Sequence, residues 1–131
     1  MEKMEKRIKI KAGPVEAEAL LNDSMTAQKI WEALPLDARA NTWGEEIYFA
    51  ILVQAPLEKT AQEVMEVGDL GYWPPGNAFC IFFGPTPASR GSEVRAASAV
   101  TPIGKIIGDA KIFRKVPSGA KVRIERVLKE A

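Results

Sequence analysis

The side chains that could do acid–base or nucleophilic chemistry are few, because the chain has no histidine and one cysteine, Cys80. Without histidine, neither a Ser-His-Asp triad, nor a Cys-His pair, nor a histidine metal site can form. Cys80 lies in an apolar run, which predicts a buried thiol, and a single cysteine cannot form an internal disulfide. We therefore predict no metal site and no cofactor, and the sequence assigns no catalytic residue.

Two adjacent carboxylates, Glu45 and Glu46, are the next candidates for chemistry. Neighbouring residues on a strand point to opposite faces, so these two cannot act as a paired acid and base from one side. Glu46 shares its face with Tyr48, which indicates a polar contact within a cleft. The alternative interpretation is that Glu46 lies at an exposed strand end.

Aromatic residues concentrate in the segment 68–87, GDLGYWPPGNAFCIFFGPTP, which holds five of the ten aromatics in the chain. Tyr72 and Trp73 fall on opposite faces of one predicted strand, and each combines an apolar ring with a polar group. In the next strand, 78–83, alternation makes both faces apolar, which predicts either a second covering layer or the floor of a cleft. A stiff hairpin that only fills a core is the alternative interpretation.

The segment that follows, 84–98, is predicted to be the longest irregular loop, and loops of this length are often functional. Thr86 and Ser89 offer hydroxyl groups, and Arg90 could bind a carboxylate. The segment is not a P-loop, because the Gly-Lys-Ser/Thr ending is missing. Backbone rigidity alone is the other explanation for its prolines.

Length and composition indicate one ordinary globular domain spanning residues 1–131. The net charge is +1, which gives no electrostatic signature for binding nucleic acid or an anionic membrane. The longest apolar runs are far shorter than the roughly 20 residues of a membrane span. The charged N-terminal segment contains no apolar signal region, so we expect a cytoplasmic location.

The elements that must position these residues are many short strands and one helix. Capping side chains at 22–24, an apolar stripe over 27–34 and Pro35 predict a short helix with Trp31 in the core. Alternation and turn residues predict about eight strands, near 7–11, 15–21, 41–56, 70–73, 78–83, 100–107 (interrupted or at an edge), 112–116 and 121–127, while 64–67 is ambiguous between loop and a further short strand. Such short strands separated by Gly and Pro indicate a barrel or a sandwich.

Several of these segments resemble the small cyclophilin-like proteins of bacteria and archaea, a family of unknown function. The resemblance covers residues 7–127 and is carried by WGEEIYF, by GDLGYWPPGNAFCIFFGPTP and by IGKIIGD. It implies a cyclophilin-type β-barrel whose ligands lie on the outer face of the aromatic hairpin. True cyclophilins also carry an arginine on the strand that resembles WGEEIYF, where this chain has Glu45 and Glu46. They carry a histidine before the segment that resembles IGKI, whereas this chain has no histidine.

We therefore predict a mainly β fold, a closed eight-stranded cyclophilin-like β-barrel with one main α-helix. The predicted function is binding of a small molecule or an extended proline-containing peptide in an aromatic cleft. The alternatives are a weak peptidyl-prolyl cis-trans isomerase, and a protein-interaction module or homo-oligomer subunit. The predicted ligand-binding residues are Glu46, Tyr48, Tyr72, Trp73, Phe83, Thr86 and Arg90.

Overall fold

The structure is a computed structural model that describes residues 5–128, which form ten strands, one α-helix and two short 3-10 helices. The helix α1 spans Met25–Ala33, and the 3-10 helices span Pro74–Gly76 and Ala110–Lys115. The strands are β1 (Lys6–Ala12), β2 (Val15–Leu21), β3 (Leu36–Arg39), β4 (Asn41–Thr42), β5 (Glu46–Ala50), β6 (Gln62–Met65), β7 (Asp69–Trp73), β8 (Ala78–Phe82), β9 (Val94–Ile107) and β10 (Lys121–Arg126). The mainly β architecture with one main helix is confirmed.

The strands form one antiparallel hydrogen-bonded path in the order β3-β10-β1-β2-β9-β7-β8-β5-β4, and β6 pairs with β9 beside this path. The predicted closed eight-stranded barrel is not confirmed, because the sheet has ten strands and no ladder joins β3 to β4. These two end strands are consecutive in the chain and are separated only by Ala40. Ala40 bonds to the segment 119–120, whereas β4 pairs with β5, so the chain changes its pairing partner at this residue.

The helix α1 forms where the sequence predicts it. The Ser24 side chain caps its first turn by accepting a hydrogen bond from the Ala27 backbone N–H at 3.1 Å. Its buried residues include Ala27, Ile30 and Trp31, which confirms the predicted apolar stripe and the core position of Trp31. The Arg126 guanidinium lies 4.6 Å from the Trp31 ring and covers its outer side.

Two predicted segments differ from the structure. Residues 94–98, predicted to be loop, are the first part of the 14-residue strand β9, which lies between β2 and β7 rather than at an edge. Pro102 is tolerated in this strand because the β7–β9 register shifts there, next to Gly71. The predicted strand 112–116 is instead part of a 3-10 helix that Asp109 caps and Phe113 anchors in the core.

Every residue of β8 is buried, because each of its two faces packs against a different cluster. The inner face, formed by Phe79 and Ile81, belongs to the main core. The outer face, formed by Ala78, Cys80 and Phe82, belongs to a smaller cluster that the start of β9 covers. The structure therefore confirms the second covering layer, which is one of the two predicted alternatives for this strand, and no residue of β8 lines the cavity described below.

Candidate functional site

A cavity of about 260 Å³ lies beside the smaller cluster, on the outer side of the sheet. We call it the aromatic cavity, because three of its seven lining side chains are aromatic and one of the others is a carboxyl. Its lining residues are Trp43, Glu46, Tyr48, Trp73, Ala96, Ala97 and Val100. They come from β5, the end of β7, the first half of β9 and the turn before β5.

Strand alternation explains how β5 supplies two of these residues. Ile47 and Phe49 are fully buried in the main core, so Glu46 and Tyr48 point to the outer side. The preceding turn holds Trp43, whose backbone N–H donates to the Glu46 carbonyl at 2.9 Å. Gly44 permits this turn, because its φ is +60° and an added Cβ would lie 2.8 Å from Pro87 Cδ.

Trp73 is fixed at the cavity by a hydrogen bond at its edge. The indole N–H (Nε1) donates to the Ser98 hydroxyl oxygen at 2.7 Å, which links the end of β7 to β9. The ring is half-buried and packs against the smaller cluster. Because the only polar group of the indole is already satisfied, Trp73 offers a ligand an apolar surface.

Among residues 5–128, Glu46 is the one carboxyl in the lining of the aromatic cavity, and it is only 5% exposed. Burial raises its pKa to about 7, although a hydrogen bond with the Cys80 thiol opposes this rise. The same burial, together with the nearby Glu46 charge, raises the pKa of Cys80 well above its usual value. The thiol therefore stays protonated near neutral pH, as predicted for a buried cysteine, while Glu46 changes charge in this range.

Three of the seven predicted site residues, Glu46, Tyr48 and Trp73, border this one cavity. Tyr72 and Phe83 do not, because both belong to the main core on the opposite side of the strands. The Tyr72 hydroxyl donates to the Val53 carbonyl at 2.5 Å. The prediction that Tyr72 and Trp73 lie on opposite faces is confirmed, and the structure places Trp73 at the cavity.

Thr86 and Arg90 also lie outside the cavity lining. Thr86 is buried, and its hydroxyl donates to the Arg95 carbonyl and accepts from the Ala88 N–H at 3.1 Å. Arg90 is exposed, and its backbone N–H donates to the Glu93 carboxylate at 3.0 Å. These contacts fold the 84–93 loop on itself, which favours the structural explanation for this segment.

The sequence reasoning missed Trp43, Ala96, Ala97 and Val100. Ala96 and Ala97 were missed because the start of β9 was predicted to be loop, whereas Val100 lies in a segment that was predicted to be strand but whose faces were not assigned. Trp43 carried a weaker signal, since a large aromatic beside Gly44 in a polar turn suits a partly covered position.

Glu45, the carboxylate next to Glu46 in the sequence, is bonded outside the aromatic cavity. Glu45 points away from Glu46 and accepts a hydrogen bond from Arg114 Nε at 2.5 Å, which confirms that the two carboxylates do not form a pair. None of the lining residues carries a positive charge. Within residues 5–128, no group of three or more His, Cys, Asp or Glu side chains could hold a metal ion.

The single α-helix of the described chain is too short to cross a membrane.

Comparison with known proteins places this geometry in a family. The structure is similar to the solution structure of the hypothetical protein AF2241 from Archaeoglobus fulgidus, with a TM-score of 0.82 and 38% identity over 96% of this chain and 98% of that chain. It is also similar to McbB in complex with tryptophan, with a TM-score of 0.61 and 12% identity over 95% of this chain. This chain spans about half of McbB (46%), and at that identity the likeness shows the fold alone.

No protein of curated function matches the chain. The sequence model of the family described as Cyclophilin-like matches residues 6–125, which is nearly the whole described chain. Together with the similarity to AF2241, this match agrees with the resemblance seen in the aromatic hairpin. The chain therefore belongs to the Cyclophilin-like family.

Proposed function

We propose that this protein binds a small, largely apolar molecule in the aromatic cavity. The observation that carries the proposal is a partly covered cavity with three aromatic side chains and one buried carboxyl around it. Pockets that bind small molecules have this composition, with mostly apolar walls and a few polar groups that fix orientation. The main core shows no comparable arrangement in the described chain, since its one buried tyrosine hydroxyl already bonds to Val53.

The size of the cavity limits the ligand. Its volume of about 260 Å³ lies just below the range of roughly 300–1,000 Å³ that is typical of drug-sized ligands. A molecule with one or two rings, or a compact branched group, would fill it. Contact with aromatic walls contributes about 0.5–1.5 kcal/mol per ring pair beyond the burial of apolar area.

Two polar groups are available to orient such a molecule. Glu46 accepts hydrogen bonds when it is ionised and can also donate one when it is protonated. The Tyr48 hydroxyl has no hydrogen-bond partner within residues 5–128, so it can bond to a ligand. The tryptophan bound to McbB, a protein of the same fold, makes indole and tryptophan suitable first probes.

The test is a titration of the full chain with indole and L-tryptophan, followed by ¹H–¹⁵N NMR. The three tryptophans provide an internal control, because Trp43 and Trp73 line the cavity whereas Trp31 packs in the main core. We expect the indole N–H signals of Trp43 and Trp73 to shift and that of Trp31 to stay in place. If millimolar concentrations of both probes leave the first two signals unchanged, the proposal is wrong.

A variant sharpens the test. Trp73→Ala removes one wall and should weaken indole binding about tenfold, which corresponds to about 1.4 kcal/mol. Trp31→Phe, on the other side of the sheet, should leave the affinity unchanged. The NMR spectrum of each variant shows whether it is folded before its affinity is compared with that of the wild type.

The weak prolyl isomerase has less support than ligand binding. Such an enzyme lowers a barrier of about 18–20 kcal/mol by weakening amide resonance, and it needs a donor aimed at the amide. The cavity has no positively charged lining residue, and Glu46 lies on the strand where the resemblance places an arginine. An assay with a short proline peptide tests both isomerase activity and peptide binding. Shifts of the Trp43 and Trp73 NMR signals without turnover of the peptide would indicate binding alone.

The interaction-module hypothesis makes a different prediction. Leu52 is 96% exposed and Met25 is 74% exposed, so apolar surface lies outside both clusters. Light scattering on the full chain distinguishes a monomer of 14.3 kDa from a homo-oligomer. A monomer whose cavity signals shift with the probes supports ligand binding, whereas a dimer that leaves them unchanged supports the interaction module.

A further inference from the structure

We propose that the aromatic cavity is a cage for a methylated ammonium group, so that the ligand of this protein is an organic cation. The inference rests on the proposed function and deepens it by naming the ligand class. It follows from three observations on residues 5–128: the ring content of the walls, the lack of a cationic side chain beside those rings, and the single buried carboxyl in the lining.

The rings of Trp43, Tyr48 and Trp73 surround one small volume, and the described chain shows no stacking between them. The close ring pairs, Phe49–Phe79 and Phe83–Phe113, lie in the main core instead. Aromatic rings carry negative charge density on their faces and attract a cation within about 6 Å, more strongly where water is excluded. Several such rings around one space are the recognised way to bind quaternary ammonium groups.

No cation of the protein occupies this position in the described chain. The cation–π contact that residues 5–128 make is Arg126 over Trp31, which lies by the helix. The nearby arginines are held by carboxylates: Arg114 by Glu45, and Arg95 by Glu93 at 2.9 Å. The rings of the aromatic cavity are therefore left for an external cation.

Glu46 supplies the complementary charge. A buried carboxylate without a cationic partner is unfavourable, and a cation bound beside it would remove that penalty. The groups that face Glu46 are the Cys80 thiol from β8, whose pKa is raised by burial, and the Tyr48 phenol along β5, while Glu45 points toward Arg114. Burial raises the pKa of Glu46 to about 7, so a cationic ligand favours its ionised form near neutral pH.

The rest of the wall explains why the ammonium should be methylated. A primary ammonium carries three N–H donors that each require an acceptor. The cavity offers Glu46 and the Tyr48 hydroxyl as side-chain acceptors, while Ala96, Ala97 and Val100 present only apolar surface. Methyl groups need no acceptor and contact both the rings and these aliphatic side chains. The walls therefore favour methylated over unmethylated ammonium, and they disfavour anions.

The test compares choline with its neutral isostere, 3,3-dimethylbutan-1-ol, by isothermal titration calorimetry and NMR on the full chain at pH 8. The two molecules have nearly the same shape and differ in charge. We expect choline to bind at least tenfold more tightly. Glu46→Gln should reduce this preference to the part that the three rings supply, whereas Glu45→Gln, which changes the adjacent carboxylate on the other face, should retain it in full.

The pH dependence is a second readout. Because Glu46 titrates near pH 7, its ionised fraction rises about tenfold between pH 6 and pH 8. Choline affinity should therefore rise about tenfold over this range and level off above it. The affinity of the neutral alcohol should not rise, and neither should choline affinity in Glu46→Gln.

The outcomes separate this inference from the proposed function. If indole and the neutral alcohol shift the Trp43 and Trp73 signals but choline binds no better, the cage is wrong and the proposed function stands. If no probe shifts these signals, both are wrong.

A short peptide containing trimethyl-lysine distinguishes two sources of the same chemical group. Binding tighter than choline assigns the group to a modified protein side chain, and weaker binding assigns it to a free small molecule.

Discussion

The two faces of β8 are both buried, yet they pack into two different apolar clusters. On the inner face, Phe79 stacks on Phe49 with ring centroids 5.2 Å apart, inside the main core. On the outer face, Cys80 and Phe82 belong to a smaller cluster that lies next to the aromatic cavity. The comparison shows that burial alone does not assign a residue to the main core, because the outer face of β8 is buried in a separate cluster beside a cavity.

The two sides also differ in how their polar groups are satisfied. In the main core, the Tyr72 hydroxyl donates to Val53, so its burial is compensated. On the outer side, the buried Glu46 carboxyl lies beside the Cys80 thiol, a weak donor whose hydrogen bond goes to the Ala78 carbonyl at 3.8 Å. Buried polar groups are usually satisfied within the fold, so this weak compensation supports the proposed role of Glu46.

The largest expected effect is a loss of stability caused by a substitution on the inner face. Phe79→Ala should lower the free energy of unfolding by about 3–5 kcal/mol, because it leaves a void among close-packed residues. Phe82→Ala on the outer face should cost less, since the adjacent cavity lets the smaller cluster relax. Urea denaturation of both variants measures the difference, and equal losses would contradict the distinction between the faces.

Glu46→Gln tests the outer face through the pH dependence of stability. The pKa of Glu46 rises from 4.5 to about 7 on folding, so its contribution is fully present below about pH 4.5 and is lost as pH rises through 7. At about 1.36 kcal/mol per pKa unit, this loss amounts to about 3 kcal/mol.

We expect Glu46→Gln to abolish that loss and to be more stable than the wild type at pH 8. Urea denaturation between pH 4 and pH 8 measures it, with Glu45→Gln as the control. A wild-type-like fall in stability in Glu46→Gln would show that another group is responsible.

Two tyrosine variants compare how much one hydroxyl group contributes to stability on each face of the sheet. Tyr72→Phe should cost about 1–2 kcal/mol, because it leaves the Val53 carbonyl buried without its donor. Tyr48→Phe should change stability by less than about 0.5 kcal/mol, since its hydroxyl has no partner within residues 5–128. Urea denaturation gives both values, and the reverse order would show that the Tyr48 hydroxyl contributes more to stability than the hydrogen bond from Tyr72 to Val53.

The smallest expected effect concerns the orientation of Trp73. Ser98→Ala removes the acceptor of the indole N–H at an exposed position, so stability should fall by less than about 0.5 kcal/mol. Probe affinity should fall about twofold to threefold, because the ring loses its fixed orientation. Calorimetry with the same probes measures this change, and an unchanged affinity would show that the hydrogen bond does not position the wall.

Alternation of apolar and polar residues predicted the local geometry well. The segments 7–11 and 15–21, both predicted to be strands, form the first hairpin, in which Ile8 and Ile10 are fully buried and Lys9 pairs opposite Glu18. The placement of Glu46 and Tyr48 on one face was predictable for the same reason. A shift of one residue would expose the whole apolar set, so register is strongly specified wherever one face is buried.

Predictions failed where distant segments decide the local structure. Residues 94–98 become strand because β6, about thirty residues earlier in the chain, pairs with them. Conversely, residues 112–116 have a strand-like pattern but close a capped 3-10 helix around the buried Phe113. Local propensity for strands is weak compared with packing against neighbours that the local sequence does not reveal.

By itself, the sequence determined the mainly β fold with one helix, which side chains lie on the same face of a strand, and the exclusion of histidine chemistry. Only the tertiary structure decided which face of β8 fills the main core and which one borders a cavity. It also brought Trp43 and the start of β9 against Glu46 and Trp73. The physical reason is that alternation fixes the relative faces of neighbouring residues, whereas what covers each face depends on long-range pairing.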